Sequence, residues 1–358
     1  MLHNPQSACL SYGEVQGSSS LREEILARHH SYYPKCSTEQ LILTYGVTDA
    51  ISLTARALLK LGDVVVVEAP TYHWALPEFI SLGAQIIQIP MDEDGMRVDL
   101  LEAEMRRAQR AGLRTRLIYS MPTFHNPAGS TLSLSRRLRL LEVARRFKAV
   151  ILEDDPYFHL RYRGRHLAPL ITLDEDGIVI HASTFSKVIA PGLRLGWILT
   201  RSPGLLRSML NLKPNGTNPF VAAIVENYLK GGTFEAHLER IRQYYHRSYE
   251  ICSAAMARLA CSKIQPSNPC GGFYFWLRLP SYWSATDFTT YCTERGLELF
   301  CGDEFFALKS LEPCVRLAFS SFTHAELDGR LSQLCTIAED YSRVVQSQQP
   351  YSRKGGAL

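Results

Sequence analysis

Lysine is normally a surface residue, yet Lys187 follows closely on the apolar run "GIVIHAS", within the stretch "STFSKVIAPGLRLGW" from Ser183 to Trp197. An amine at the end of a buried strand is partly desolvated. Its proton affinity falls, and the free amine can form a Schiff base with an aldehyde. Ser183, Thr184 and Ser186 are small hydroxyls, and Arg194 lies beyond a "PGL" turn. Anion-binding groups therefore bracket the amine, so the aldehyde would carry a phosphate. The alternative is a surface lysine whose stem snorkels along apolar neighbours. Two more strand tails carry polar groups, "MPTFHNPAG" and "EDDPY". Asn126 before Pro127 can be a simple turn residue, and Asp154 or Asp155 before Pro156 a helix cap. The convergence of an amide, a carboxylate and a lysine at one sheet edge points instead to a site.

Such groups need a scaffold. From about residue 20 to 205, helical patterns alternate with short apolar runs, which predicts a parallel sheet with helices on its faces. The expected strands are "DVVVVE" (63–68), "AQIIQIP" (84–90), "RLIYSMP" (116–122), "AVILED" (149–154), "GIVIHAS" (177–183) and "GWILT" (196–200). Ligands of such a sheet sit beyond the carboxyl ends of its strands. Near residue 232 the pattern changes to one long amphipathic helix. It is followed by "GGFYFWLRLP", a helical segment near 286–295, "VRLAFS" and a last helix from about Ala325 to Val345. The expected division is a large domain over 1–235, a small α+β domain over 236–345, and a disordered tail over 346–358, which lacks core-forming residues.

With 358 residues and 46% hydrophobic content, the chain can bury a sizeable core. Its 39 basic and 35 acidic residues are interspersed and leave a net charge of +4, so nothing demands nucleic acid or an anionic membrane. The richest basic run, "SRRLRLLEVARRFK" (135–148), has helical spacing and predicts a solvated helix face. Nine cysteines without a Cys-x-x-Cys pair or zinc-ligand spacing predict reduced thiols, no metal and a cytoplasmic protein. No apolar run is long enough to span a bilayer, and the N-terminal residues do not read as a leader.

The segment around Lys187 resembles the lysine segment of the class I/II aminotransferases, which are fold-type-I enzymes that use pyridoxal 5'-phosphate (PLP). "EDDPY", "HNPAG" and "EAPTYHWA" resemble that family's other cofactor segments in the same order, over about residues 8–345. The nearest resemblance is to the 2-aminoadipate, aromatic and kynurenine-type aminotransferases and the aminotransferase-like domains of some regulators. It implies an α/β fold in which a mostly parallel sheet is sandwiched by helices, with a smaller C-terminal domain.

The resemblance also implies roles. Lys187 would hold PLP and move the proton at the substrate's Cα. Asp154, three positions before Tyr157, would face the pyridine nitrogen and keep it protonated. Asn126 and Tyr157 would bond the ring oxygen, and Tyr72 would stack on the ring. Gly46, Val47 and Thr48, at a helix N-terminus, would meet the phosphate with Thr184, Ser186 and Arg194. The family usually has a small polar residue where this chain has Val47, whose side chain cannot donate. Tyr12 would reach the partner's cofactor in a homodimer, preceded by an N-terminal arm shorter than the family's. Arg316, which interrupts the apolar strand in "EPCVRLAFSSF", would take the substrate carboxylate; the alternative is a strand arginine facing solvent. His73, Trp74, His125 and Phe158 are further pocket candidates.

The reading that follows is transfer of an amino group from an L-amino acid to a 2-oxo acid such as 2-oxoglutarate. The same cofactor chemistry would serve a carbon–sulfur lyase acting on cysteine conjugates, and the same binding residues a non-catalytic PLP-sensing protein.

Overall fold

The computed structural model describes residues 8–259, 262–308, 310 and 312–348. In chain order the first part runs α1 (Ser19–Arg28), β1 (Leu41–Thr44), α2 (Val47–Leu58), β2 (Val64–Ala69), α3 (Ala75–Ser81), β3 (Gln85–Asp92), β4 (Gly95–Met96), α4 (Val98–Arg110) and β5 (Thr115–Ser120). It continues through α5 (Leu134–Phe147), β6 (Val150–Asp154), α6 (Leu170–Leu173), β7 (Val179–Thr184), β8 (Gly196–Thr200), α7 (Pro203–Leu210) and α8 (Pro219–Lys230). The second part comprises α9 (Phe234–Leu259), β9 (Gln265–Pro266), β10 (Tyr274–Arg278), α10 (Ala285–Thr293), β11 (Phe300–Cys301), β12 (Cys314–Ala318) and α11 (His324–Gln348). The last helix continues past 345, into the stretch expected to be a tail; residues 349–358 lie outside the described residues.

Eight strands form one sheet in the order β1-β8-β7-β6-β5-β2-β3-β4. Strands β3, β2, β5, β6 and β7 pair in parallel. Each is joined to the next by a helix, and their near-continuous apolar runs match burial on both faces. Strand β8, expected among the parallel strands, runs antiparallel to β7 and β1. The connection 185–195 holds only short 3-10 turns, and a parallel return needs a crossover of about a dozen residues or more, usually with a helix. From β2 the chain steps to β3 and then returns to the other side of β2 through β5, β6 and β7. The carboxyl ends of those returning strands carry the loops with Asn126, Asp154 and Lys187.

Four strands make the second sheet, β11-β12-β10-β9. Strand alternation sorts its residues. Phe275, Leu277, Val315 and Leu317 join a core with residues of α9, α10 and α11, including Tyr249, Phe288 and Leu331. Trp276, with Arg316 directly opposite it in register, belongs to the other face. That face is covered, so Arg316 is only 6% exposed and the solvent-facing alternative does not hold.

The basic helix α5 departs from its expected solvated character at one position. Arg137 is completely buried. It donates to the carbonyls of Leu132, Pro122 and Ala168 and to Thr123 Oγ1, at 2.7–3.2 Å. Residues 137, 140, 141, 143 and 144 are the buried positions of the helix, and Arg137 is the first of them.

Candidate active site

Strand β7 is buried along its whole length and ends in a 3-10 turn, Phe185–Lys187, where Thr184 Oγ1 accepts the N–H of Ser186. The turn lifts Lys187 out of the sheet into a half-buried position. Its Nζ lies 5.9 Å from the centroid of the Tyr157 ring. Burial pushes the amine below its ordinary pKa, while the Asp154 charge acts in the opposite sense.

Asp154 ends β6 and is fully buried. The Tyr119 hydroxyl donates to its Oδ2 at 2.6 Å, whereas Oδ1 has no partner among the described residues. Burial pushes this carboxyl up to about 7, with the Tyr119 hydrogen bond and the nearby cations opposing it. A buried carboxylate oxygen without a donor marks the place of a donor from outside the chain, and the ring N–H of PLP is such a donor. Asp155 Oδ1 is likewise without a hydrogen-bond partner among the described residues, but Asp155 gathers with Glu153 and His181, whereas the Lys187 charge acts on Asp154. Both Glu153 oxygens are taken by the N–H groups of Leu170 and Ile171, and the His181 nitrogens by Glu153 and Tyr33.

At the other end of the site, Gly46 caps α2 with φ 81°. A Cβ there would sit 3.3 Å from the Arg194 guanidinium, a side chain that can shift, so it is the positive φ that favours glycine. Arg194 donates to the Tyr45 carbonyl at 3.2 Å and is otherwise exposed. The first-turn N–H groups of α2, at Val47 and Thr48, face no intrahelical acceptor. Thr184 is turned elsewhere, because its hydroxyl donates to the Leu195 carbonyl at 2.9 Å. The Ser186 hydroxyl lies 2.9 Å from Thr184 Oγ1. Tyr72 is half-buried beside Thr48, and burial pushes its phenol up to about 12, with Asp154 adding to the effect.

Arg316 brings the second sheet to this edge. Its Nη1 donates to Asn126 Oδ1 at 3.0 Å, and its Cζ lies 4.1, 4.6 and 4.9 Å from the ring centroids of Phe300, Tyr274 and Phe305. Among the described residues its Nε has no partner and no carboxylate pairs with it. A buried cation held only by an amide and three rings calls for an anion. His73 packs edge-on to Phe305, and burial, together with the Arg316 charge, pushes it down to about 4. It is therefore neutral at pH 7.

Several supporting residues escaped the sequence reading. Arg137 pins Pro122 and Thr123, which precede Asn126. Glu68 accepts from Ser120 Oγ and the Met121 N–H, and its Oε2 lies 3.0 Å from His125 Nε2. Tyr119 holds Asp154, and the Tyr274 hydroxyl lies 3.1 Å from that of Tyr157. The acid ending "VVVVE" and the arginine on an apolar helix stripe were the available signals for Glu68 and Arg137. Nothing local marked the two tyrosines. Phe158 packs away from the site against His29 and His159. Trp74 is 60% exposed, and Tyr12, at 96%, is not gathered with the other residues in its own chain.

The family model described as aminotransferase class I and II matches residues 3–334. An aromatic-amino-acid aminotransferase of Thermococcus litoralis is 32% identical over 348 residues, covering 96% of this chain and 83% of that one. Among solved structures, a kynurenine aminotransferase of Pyrococcus horikoshii, in complex with PMP, superposes with a TM-score of 0.90 at 32% identity, covering 95% and 85% of the two chains. An α-aminoadipate aminotransferase of Thermus thermophilus, complexed with N-(5'-phosphopyridoxyl)-L-leucine, gives 0.88 at 26% identity, covering 96% and 87%. These likenesses favour transamination over the lyase and sensing alternatives. With the orphaned Asp154 oxygen, the half-buried lysine and the unpaired arginine on one sheet edge, they establish that the chain belongs to the class I and II aminotransferases and works as a PLP-dependent transaminase.

Proposed function

We propose that the chain moves the amino group of an L-amino acid with an aromatic or 2-aminoadipate-like side chain to a 2-oxo acid such as 2-oxoglutarate. The observation that carries this reading is the buried, unpaired Arg316, bonded to Asn126 and walled by Phe300, Phe305 and Tyr274. An α-carboxylate answers its charge, and an apolar or aromatic side chain suits its surroundings. When bound, PLP supplies an aldehyde for the substrate amine and an electron-withdrawing ring. Lys187 is its covalent anchor. Lys187 Nζ, its proton affinity lowered by burial, would then accept the proton of the substrate's Cα and hand it on. Asp154 Oδ1, which has no partner among the described residues, would hold the proton on the ring nitrogen, while Tyr157 and Asn126 would hold the ring oxygen. Gly46, Val47, Thr48, Ser186 and Arg194 retain the phosphate, with the Thr184 hydroxyl bracing the turn that carries Ser186. Tyr72 covers the ring.

We further propose a homodimer in which Tyr12 serves the partner's site. Its 96% exposure supports this, as do its surroundings. Gly13 packs on Pro219 and the Tyr45 hydroxyl donates to the Gly216 carbonyl, so the segments that carry the exposed Tyr12, Tyr45 and Phe220 lie beside one another.

The test is a panel of L-amino acids with 2-oxoglutarate, scored by the 2-oxo acid formed. Aromatic amino acids and 2-aminoadipate should be the best donors, and Lys187→Ala should lower turnover by about 10³-fold or more. Turnover confined to small or cationic amino acids would overturn the substrate assignment, and a Lys187→Ala protein of normal activity the catalytic one.

A further inference from the structure

Tyr274 stands where the two sheets meet, and it touches both halves of the site. It opens β10 on the face opposite Phe275 and Leu277, which are buried in the core with residues of α9 and α11. Its ring lies 4.6 Å from Arg316 Cζ, and its hydroxyl is 3.1 Å from that of Tyr157. The two tyrosine rings cross at 88° with centroids 5.9 Å apart, so the contact between them is a directed hydroxyl pair and not a stack. The Asn126 loop closes on the same residue: a Cβ at Gly129 (φ +71°) would stand 2.9 Å from the Tyr274 carbonyl oxygen.

A phenol has one hydrogen to give. If Tyr157 gives its hydrogen to the cofactor's ring oxygen, its own oxygen must accept, and the hydroxyl positioned to donate is that of Tyr274. A cation against the face of an aromatic ring draws on its electrons. The Arg316 charge therefore makes the Tyr274 hydroxyl the stronger donor, and hydrogen bonds in a chain strengthen one another. A carboxylate that neutralises Arg316 weakens that pull. We propose that Tyr274 is a positioning residue that transmits occupation of the carboxylate site at Arg316 to the hydroxyl of Tyr157, by a path separate from the Arg316–Asn126 bond. The inference rests on the transaminase reading, with Lys187 holding the cofactor.

The experiment uses the PLP-loaded protein at one fixed pH, with 3-phenylpropionate as the probe, a carboxylate bearing neither amine nor oxo group. In the wild type, saturating probe should change the visible absorption spectrum. In Tyr274→Phe, the probe should bind within about threefold of its wild-type Kd while the spectral change falls by half or more. The kcat should drop about 3- to 10-fold with KM nearly constant, the size expected for loss of one uncharged hydrogen bond. In Tyr157→Phe, adding Tyr274→Phe should have no further effect on the spectrum, because the receiving hydroxyl is gone. A full-sized spectral change in Tyr274→Phe, no response in the wild type, or additive effects in the double variant would each overturn the proposal and reduce Tyr274 to packing. Failure of the wild type to form any visible band with PLP would instead sink the reading on which it rests.

Discussion

Asp154 is costly to its own fold. Burial raises its carboxyl to about 7 from an ordinary value near 3.8, so the proton it holds favours folding below about pH 4. That contribution is lost as pH rises from about 4 to about 7. At about 1.4 kcal/mol per pKa unit, the cofactor-free protein forgoes on the order of 4 kcal/mol above neutrality. Cofactor-free Asp154→Asn should therefore melt above the wild type at pH 8, and the gap should close towards pH 5. The loaded variant should lose about 10²-fold or more in turnover. Thermal melts at a series of pH values, with and without PLP, check both halves, and equal melting points at pH 8 would refute the burial argument. Lys187, Asp154 and Asn126 stood out in the sequence because each ends or closely follows a strand and their motifs lie in fixed order. Tyr119 and Tyr274 were not. Their roles depend on which strands become neighbours, and a tyrosine in an apolar run looks the same whichever residue it meets.

Helix α5 shows how an element far from the chemistry can set it. Arg137 satisfies four acceptors at once, among them Pro122 and Thr123 ahead of Asn126. Its Nη1 also lies 3.8 Å from the buried Glu153. Replacing it by methionine leaves those oxygens dry and the carboxylate less balanced, a loss of about 3 kcal/mol or more. Calorimetry should find the melting point of Arg137→Met at least about 5 °C lower, and KM should rise as the Asn126 loop loosens. An unchanged melting point would show that water replaces the guanidinium. The helices and most strands could be read from periodicity and apolar runs. The direction of β8 could not be read from its apolar pattern, which looks the same in either direction, although the length of the 185–195 connection held the answer. The burial of Arg137 likewise lay in the heptad-like spacing 137, 140, 141, 144, overridden by the charge of its neighbours.

For the molecule as a whole, Tyr12, Tyr45 and Phe220 are exposed among the described residues, and the proposed partner subunit would cover them. Sedimentation should give a species of twice the 40.4 kDa chain mass. Tyr12→Phe should keep that mass yet release PLP about tenfold faster, a loss in the range of a hydrogen bond to a charged group. A monomer at micromolar concentration would remove the shared site. The division of labour between the sheets was legible only in outline, since the sequence marks two patterns but not the seam where Arg316 meets Asn126. That seam has a geometric consequence. On the proposed roles the carboxylate grip belongs to one sheet and the amine grip to the other, so a substrate would span the joint between them as a brace with two fixed ends. With those ends held, only one hand of the central carbon would turn its hydrogen towards Lys187, and the proposed preference for L-amino acids would be a property of how the two sheets are set against each other.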